Sequence, residues 1–441
     1  MQNRRVIANA SWIIISKMAQ AFLGIIISML TARYLGPANF GVINYATSLV
    51  AFVTPLMKLG LDAILVREII NYPHEEGETL GTAIVLNLSS CLLCMIGTVT
   101  FCTMVNPGER TTILVCALYS LILPAQAVEM IMYWYQAKLL SKYTSIVSLG
   151  AYTLISVYKI LLLILDKSVF WFAVSNALDY LLIGIVLHIL YGKLGAYKLR
   201  FSWMKVKRLL TQSKFYIVSA LMVTVFAQTD RIMLKIMIDE TAVGYYSASV
   251  ACAGMASFVF AAIIDSMRPE ILEVKKKSRE MYEHRIKQLY AIIVSLSIWQ
   301  SILITFFAEQ GIWLLYGPQF KPAVGCLRIV VWYTTFSYYG GAKDVWILAE
   351  GRQRYLVWLN AAGAIANVVL NAVMIPLWGA NGAAAASLLT QFFTNVVMGF
   401  VLAPLRHNNM LLLQSLHPRY IVEIFGAMKN LWRGLRKVSN R

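Results

Sequence analysis

Apolar stretches of about 20 residues, bounded by charged or turn residues, recur along the whole chain and restrict what it can become. A helix of that length, rising 1.5 Å per residue, spans the roughly 30 Å hydrocarbon core of a bilayer. Twelve such windows fall near 9–31, 40–65, 80–104, 111–133, 144–164, 169–191, 214–238, 246–267, 288–308, 324–348, 356–377 and 380–402. Of 441 residues, 59% are hydrophobic and 14% charged, against roughly 25% charged in soluble domains. Too little polar surface remains to coat a water-soluble globule, so the chain is expected to be an all-α membrane protein of about twelve transmembrane helices. The first window is longer than a cleavable signal core and lacks a small-residue cleavage site, which predicts a retained first span.

Lys and Arg positions set the expected orientation. Segments on the side of the N-terminus hold 28 of the 39 basic residues: Arg4, Arg5, Arg67, Lys138, Lys142, Arg352, Arg354 and seven each in 192–214, 268–287 and 403–441. The opposite side holds only Arg33, Arg110, Lys167 and Lys321. This asymmetry places both termini and the long loops in the cytoplasm. It also accounts for the net charge of +18 without a nucleic-acid partner. The stretch 192–214 interleaves seven bases with Phe201, Trp203, Met204, Leu209 and Leu210. It suits an amphipathic helix on anionic headgroups, or a topology signal alone, which is the expectation for the tail ending WRGLRKVSNR.

The basic stretch also divides the chain into six spans and six spans. The segment 38–46 (ANFGVINYA) opens span two and 241–249 (TAVGYYSAS) opens span eight, with Gly41 and Gly244 aligned at an offset of 203. Six spans return the chain to its starting side, so the repeat is expected to be parallel. The domain reading is a six-helix lobe over 1–191, a basic linker over 192–213, a second six-helix lobe over 214–402 and a basic tail over 403–441.

Seven bases fall inside spans, where each costs roughly 2.5–3.5 kcal/mol against lipid on insertion scales. Helical spacing gathers them into polar stripes: Lys17, Gln20, Gly24, Ser28 and Thr31 in span one; Asn44, Ser48, Pro55, Lys58 and Asp62 in span two; Thr224, Gln228, Arg231 and Lys235 in span seven; Arg328, Thr335, Tyr339 and Lys343 in span ten. A central cavity is the natural place for these faces. Lys17, Lys58, Lys343, Arg231, Lys235, Arg328, Lys159 and Asn44 are the candidate substrate contacts. The competing reading is that buried acids, among them Asp62, Glu129, Asp179, Asp230, Asp265 and Asp344, pair with these bases and hold helices together. Asp62, Asp179, Asp230 and Asp344 are candidates either for such salt bridges or for coupling H+ or Na+. The six cysteines all sit in apolar stretches, and the Cys91–Cys94 pair lacks neighbouring co-ligands for a metal. No cofactor is expected.

Several segments have a familiar form. Residues 31–41 (TARYLGPANFG), 60–68 (GLDAILVRE), 229–235 (TDRIMLK) with 243–249 (VGYYSAS), and 367–371 (NVVLN) with Ile375, Pro376 and 379–386 (GANGAAAA) resemble, in order, the signatures of the O-antigen and polysaccharide flippases. This resemblance implies two six-helix lobes around a central cavity, in the superfamily shared with multidrug exporters. It also implies an oligosaccharide linked to a polyprenyl pyrophosphate as substrate, moved from the inner to the outer leaflet of a bacterial cytoplasmic membrane. A polysaccharide polymerase and chain-length machinery are implied partners. Span one carries Lys17 in place of the acid that one branch of drug exporters has there, and the tail is too polar for the two extra spans of peptidoglycan-precursor flippases.

Under this reading the bases are expected to hold pyrophosphate and acidic sugars, since Lys and Arg suit phosphate, and Tyr45, Tyr152, Tyr338 or Tyr339 to stack on sugar rings. A cationic-drug exporter of the same superfamily is one alternative. A membrane polymerase or ligase is another, disfavoured by outer loops with no His and few charges. A non-enzymatic transporter is the expectation.

Overall fold

A computed structural model describes residues 2–195, 197–417 and 419–420. The end of the basic tail, from 421 on, and the side chains of Arg4 and Arg5 lie outside the described residues. Among the described residues all regular elements are helical, and nine helices are long and apolar enough to cross a membrane. Two of the nine, Ser11–Lys58 and Arg354–Val401, run 48 residues each. Unbroken, such a helix would measure about 72 Å, over twice the hydrocarbon thickness. Each is interrupted at a glycine in the left-handed region, Gly36 at φ 73° and Gly379 at φ 54°, a conformation that glycine adopts at little cost. Each therefore supplies two crossings. Ala323–Ala349, 27 residues long, supplies one more, its apolar character diluted by Arg328, Lys343 and Asp344. The twelve crossings expected from the sequence are all present.

The fourth crossing is jointed. It comprises Arg110–Ser120, Ile122–Glu129 and Met132–Ala137. Pro124 has no N–H to return to the Ser120 carbonyl, which opens the ladder at the first joint.

Residue contacts group the chain into two units, Met1–Ser247 with Leu315–Gln319, and Ala248–Leu314 with Phe320–Arg441. In the first, Trp134 packs edge-on against Tyr135 and Tyr191, with ring centroids 5.0 and 4.9 Å apart, inside a core that includes Leu65, Ile69, Leu80, Ile131 and Leu187. The Trp203–Met237 helix, placed by sequence in the second half, packs in this unit against Gln2–Lys58. In the second unit, Tyr290, Tyr339 and Trp346 form the buried centre, with Asn408 donating to the Tyr339 hydroxyl at 2.9 Å.

The stretch 192–214 is not one amphipathic helix. Val169–Leu194 ends, residues 197–202 run without helical structure, and Trp203 begins the next long helix. The non-helical stretch is strapped to the Glu76–Val105 helix. The Arg200 N–H donates to the Gly77 carbonyl at 3.2 Å and the Ser202 N–H to Thr82 Oγ1 at 3.0 Å. A Cβ at Gly77 or Gly81 would collide with the backbone of Lys198 or Arg200. Carboxylates of this unit take bases expected to meet lipid: buried Lys205 pairs with Glu75. Arg208 pairs with Glu68 at 2.9 Å and lies 3.8 Å over the Tyr72 ring. Trp203 and Met204 stay 79% and 81% exposed, so part of the expected interfacial face survives.

The two segments of the sequence echo touch. Gly41 faces the Glu240 carbonyl, and Gly244 faces the Pro37 carbonyl, each so closely that a Cβ would overlap it. Pro37 and Glu240 are themselves related by the offset of 203 residues. The contact is therefore reciprocal: what one copy does to the other is returned by its counterpart, as at a two-fold interface.

Candidate functional site

Within the first unit four crossings line an open cavity of about 370 Å3 that carries several polar side chains. The first crossing contributes Ser16, Lys17 and Gln20, and the fourth Glu129, Met132 and Gln136. The fifth contributes Ser141, Thr144, Ser145, Ser148 and Tyr152, and the sixth Asp179, Tyr180 and Ile183. The stripe on the fifth recurs at intervals of three, one, three and four residues, the spacing of one helix face. Gly24 leaves the room in which the Tyr152 hydroxyl sits.

Lys17 is exposed and, among the described residues, has no hydrogen-bond or ion-pair partner. Lys58 lies within electrostatic reach of Glu129, and Lys159 of Asp179. Neither pair closes to contact. Lys159 instead donates to Asn176 at 2.8 Å, and Asn176 to the Tyr119 hydroxyl at 3.0 Å. Asp179 Oδ1 is buried without a hydrogen-bond partner. The structure thus gathers Lys17 and Asp179 around one cavity, with Lys58 and Lys159 within electrostatic reach of its carboxylates.

The other candidates are distributed elsewhere. Arg231 donates to Ser247 at 3.0 Å and lies 5.8 Å from the Tyr246 ring centre, while Tyr246 donates to buried Asp230. Lys235 is buried and bonds both oxygens of Glu109 at 2.9 and 2.7 Å and Glu240 at 2.7 Å. It follows the salt-bridge reading, with Glu109 in a loop and Glu240 at the start of a helix as partners. Asn44 donates to the Phe40 carbonyl of its own helix at 2.8 Å. Half-buried Asp62 accepts from the Ala63 N–H at 3.1 Å.

In the second unit, Arg328 and Asp344 are exposed. Lys343 is buried and donates to Asn395 Oδ1 at 2.8 Å and to the Thr394 carbonyl at 3.3 Å. Both partners lie on the π-helical turn Phe393–Val397, whose wider winding redirects its carbonyls.

The aromatic expectation needs correction. Tyr45 and Tyr339 are buried to 0% and 2% exposure, and Tyr338 stacks on Phe260 at 4.0 Å. Tyr45 and Tyr339 thus present no open face to a sugar, and half-buried Tyr338 has one face covered. Of the four named tyrosines, Tyr152 lines the cavity. Glu129, Gln136, Ser145, Ser148 and Tyr180 were not singled out as site residues. The stripe on the fifth crossing carried the signal, and it contains no charge to draw notice.

A family model described as polysaccharide biosynthesis protein matches residues 6–274. The chain belongs to that family. The motif resemblance to polysaccharide flippases agrees with this membership. An uncharacterized membrane protein of Methanocaldococcus jannaschii is 22% identical over 280 residues, covering 60% of this chain and 54% of that protein; the match thus spans about half the length of this relative. Among solved structures, the lipid II flippase MurJ in an inward closed conformation matches with TM-score 0.65 and 12% identity, covering 93% of this chain and 92% of that one. An inward-facing multidrug resistance MATE family transporter of the MOP superfamily matches with TM-score 0.61 and 12% identity, covering 90% and 96%. A MOP superfamily transporter from Pyrococcus furiosus matches at 0.54 and 12%, covering 92% and 96%. The family member described here is therefore a multi-pass membrane protein with the MOP transporter fold. The structural neighbours named above are themselves a lipid flippase and two transporters.

Proposed function

We propose that this protein flips a polyprenyl-pyrophosphate-linked oligosaccharide from the cytoplasmic to the outer leaflet of a bacterial cytoplasmic membrane. It works by alternating access between lobes of six helices, with both termini in the cytoplasm. The observation that carries this reading is the cavity, set with polar and charged side chains, that four apolar crossings line. A sugar head cannot pass hydrocarbon, because each unpaired hydroxyl costs several kcal/mol to desolvate. A lined cavity replaces the lost water while the lipid tail stays in the bilayer. Family membership supports the polysaccharide substrate, and the shared fold includes a lipid flippase. Lys17, exposed, with Lys58 and Arg231 of the same unit, are the proposed pyrophosphate contacts. Lys235 and Lys343, already engaged by protein acceptors, hold helices in place. The cytoplasm is electrically negative, so an anionic head moving outward gains ~2.3 kcal/mol per charge per 100 mV, which assists export without an ion. Polymerase and chain-length proteins would receive the product.

The decisive test is depletion in the native cell. Lipid-linked oligosaccharide is expected to accumulate on the inner leaflet, with surface polysaccharide restored by the wild-type gene and not by Lys17→Glu at equal membrane abundance. Unchanged surface polysaccharide on depletion overturns the reading. The two cavity carboxylates favour a second reading, export of cationic compounds, which predicts that depletion sensitises cells to cationic dyes and leaves the polysaccharide intact.

A further inference from the structure

We infer that the first and fifth crossings hold the junction of an amphiphile, with its pyrophosphate at Lys17 on their cavity side and the first isoprenoid units of its tail in an apolar groove on their lipid side. The inference rests on the flippase reading and adds a tail site to it. The groove, about 510 Å3, is lined by Trp12, Ile15 and Ser16 of the first crossing and by one face of the fifth. Ile146, Leu149, Gly150, Thr153, Leu154 and Val157 make up that face, at the alternating spacing of a single helix stripe. Ile15, Ile146, Leu154 and Val157 are 49–61% exposed, so protein does not cover it.

Groove and cavity share two lining residues, Ser16 and Ser145. Two small side chains therefore stand where one space meets the other. Lys17, next to Ser16, lines the cavity and has no partner among the described residues. Ser16 donates to the Ile13 carbonyl at 3.1 Å. Ser145 makes no hydrogen bond among the described residues, so its hydroxyl is free to donate to a phosphate oxygen beside the Lys17 ammonium. The head and tail of a lipid are one molecule and need adjoining sites, and these spaces adjoin. The seam is closed at either end. Asn9 donates to Ser141 Oγ at 3.0 Å and accepts from the Ser141 N–H at 2.7 Å, and Gly24 lies so near the Tyr152 hydroxyl that a Cβ would overlap it. From Ser141 to Tyr152 the fifth crossing rises about 16 Å, which sets the length of the window. Lys142 stands 5.5 Å over the Trp12 ring, an aromatic and a base of the kind that anchor at headgroup level. Under the proposed orientation the groove opens to the inner leaflet.

A straight acyl chain and a partner helix are the other occupants that an apolar groove admits. A helix brings no anion to Lys17. A Cβ at Gly150 would meet nothing within 4 Å, which leaves a notch in the groove wall. A regularly methyl-branched chain seats a branch there, whereas a straight chain forgoes those contacts.

The test uses the full chain in phosphatidylcholine nanodiscs, with geranylgeranyl pyrophosphate bearing a diazirine on the isoprene unit next to the phosphate. Adducts mapped by peptide mass spectrometry are expected within 12–16 and 146–157. Unlabelled geranylgeranyl pyrophosphate should suppress them. Geranylgeraniol, which lacks the anion, should compete roughly tenfold more weakly, the size of one charge-assisted hydrogen bond. Dioleoyl phosphatidic acid should compete no better than geranylgeraniol. Absence of adducts from both stretches overturns the inference, and that result needs no variant. So does phosphatidic acid competing as well as geranylgeranyl pyrophosphate, which would make the groove a seat for bulk lipid. Gly150→Leu projects into open space and should keep its size-exclusion profile while cutting the adducts several-fold; undiminished labelling of the folded variant also overturns the inference. Transfer of lipid-linked oligosaccharide, assayed in proteoliposomes, separates the two ideas. Transfer without groove adducts leaves the flippase standing and removes the tail site. Groove adducts without transfer keep a polyprenyl-lipid site and remove the flippase.

Discussion

At Lys235 one ammonium meets two carboxylates, and the charges do not divide evenly. Its side chain is 3% exposed while Glu109 and Glu240 are 43% and 33% exposed. Removing the lysine leaves two acids that water can still reach, so the loss should be smaller than for a fully buried pair. Lys235→Ala is expected to destabilise the purified protein by about 1–3 kcal/mol, read from its thermal transition in detergent. Glu109 shows the same contact from its other end: burial raises its carboxyl, but the bonds from Lys235 and Thr112 outweigh that and hold it below its ordinary value.

Glu350 gives a cleaner titration. Burial raises its carboxyl, yet Lys275 at 3.2 Å and Arg279 at 3.0 Å bring it below the ordinary range. A depressed carboxylate contributes stability above its unfolded value of about 4.3, and the contribution disappears as pH falls through the lower folded value. The wild type should therefore lose thermal stability faster than Glu350→Gln as pH drops from about 5 toward 3. Parallel curves would assign Glu350 no such role. Glu109 as a partner of Lys235 was not legible in the sequence, because a loop acid 126 residues away leaves no periodic trace. Lys17 was legible, since its stripe alone points where the cavity lies.

Helices declared themselves and their interruptions did not. Length and hydropathy reveal a crossing, because the bilayer imposes both. The joint at Leu121 and the π turn at Phe393–Val397 arise from local hydrogen-bond loss and tertiary packing, for which composition carries no signal apart from Pro124. The strap over 197–202 shows the same limit. Seven bases suggested a headgroup-facing helix, but Glu68 and Glu75 were closer acceptors than lipid. Gly77 and Gly81 made the groove that the strap occupies. Replacing both with alanine should lift it, and trypsin should then cut after Lys198 or Arg200 several times faster than in the wild type. An unchanged cleavage rate at those bonds would show that the ion pairs to Glu68 and Glu75 suffice alone.

For the molecule as a whole, the sequence foretold membrane residence, crossing number and family through features that physics or descent repeats many times along a chain. It foretold the site only in part. A cavity is a meeting of residues from four crossings, and an uncharged serine stripe becomes notable only when Glu129 and Asp179 are found opposite it. The crossing of 37–41 with 240–244 adds something that no single residue carries. Two absent side chains there make one shared gap, and a gap can be wedged open only once. Alanine at position 41 or at 244 should each cost about 1–3 kcal/mol, and the double substitution less than the two together, because the second methyl enters space that the first has already forced apart. Strict additivity in the melting of the three variants would mean two separate contacts. Sub-additivity would identify a single seam joining two ancient copies, whose glycines can drift only as a pair.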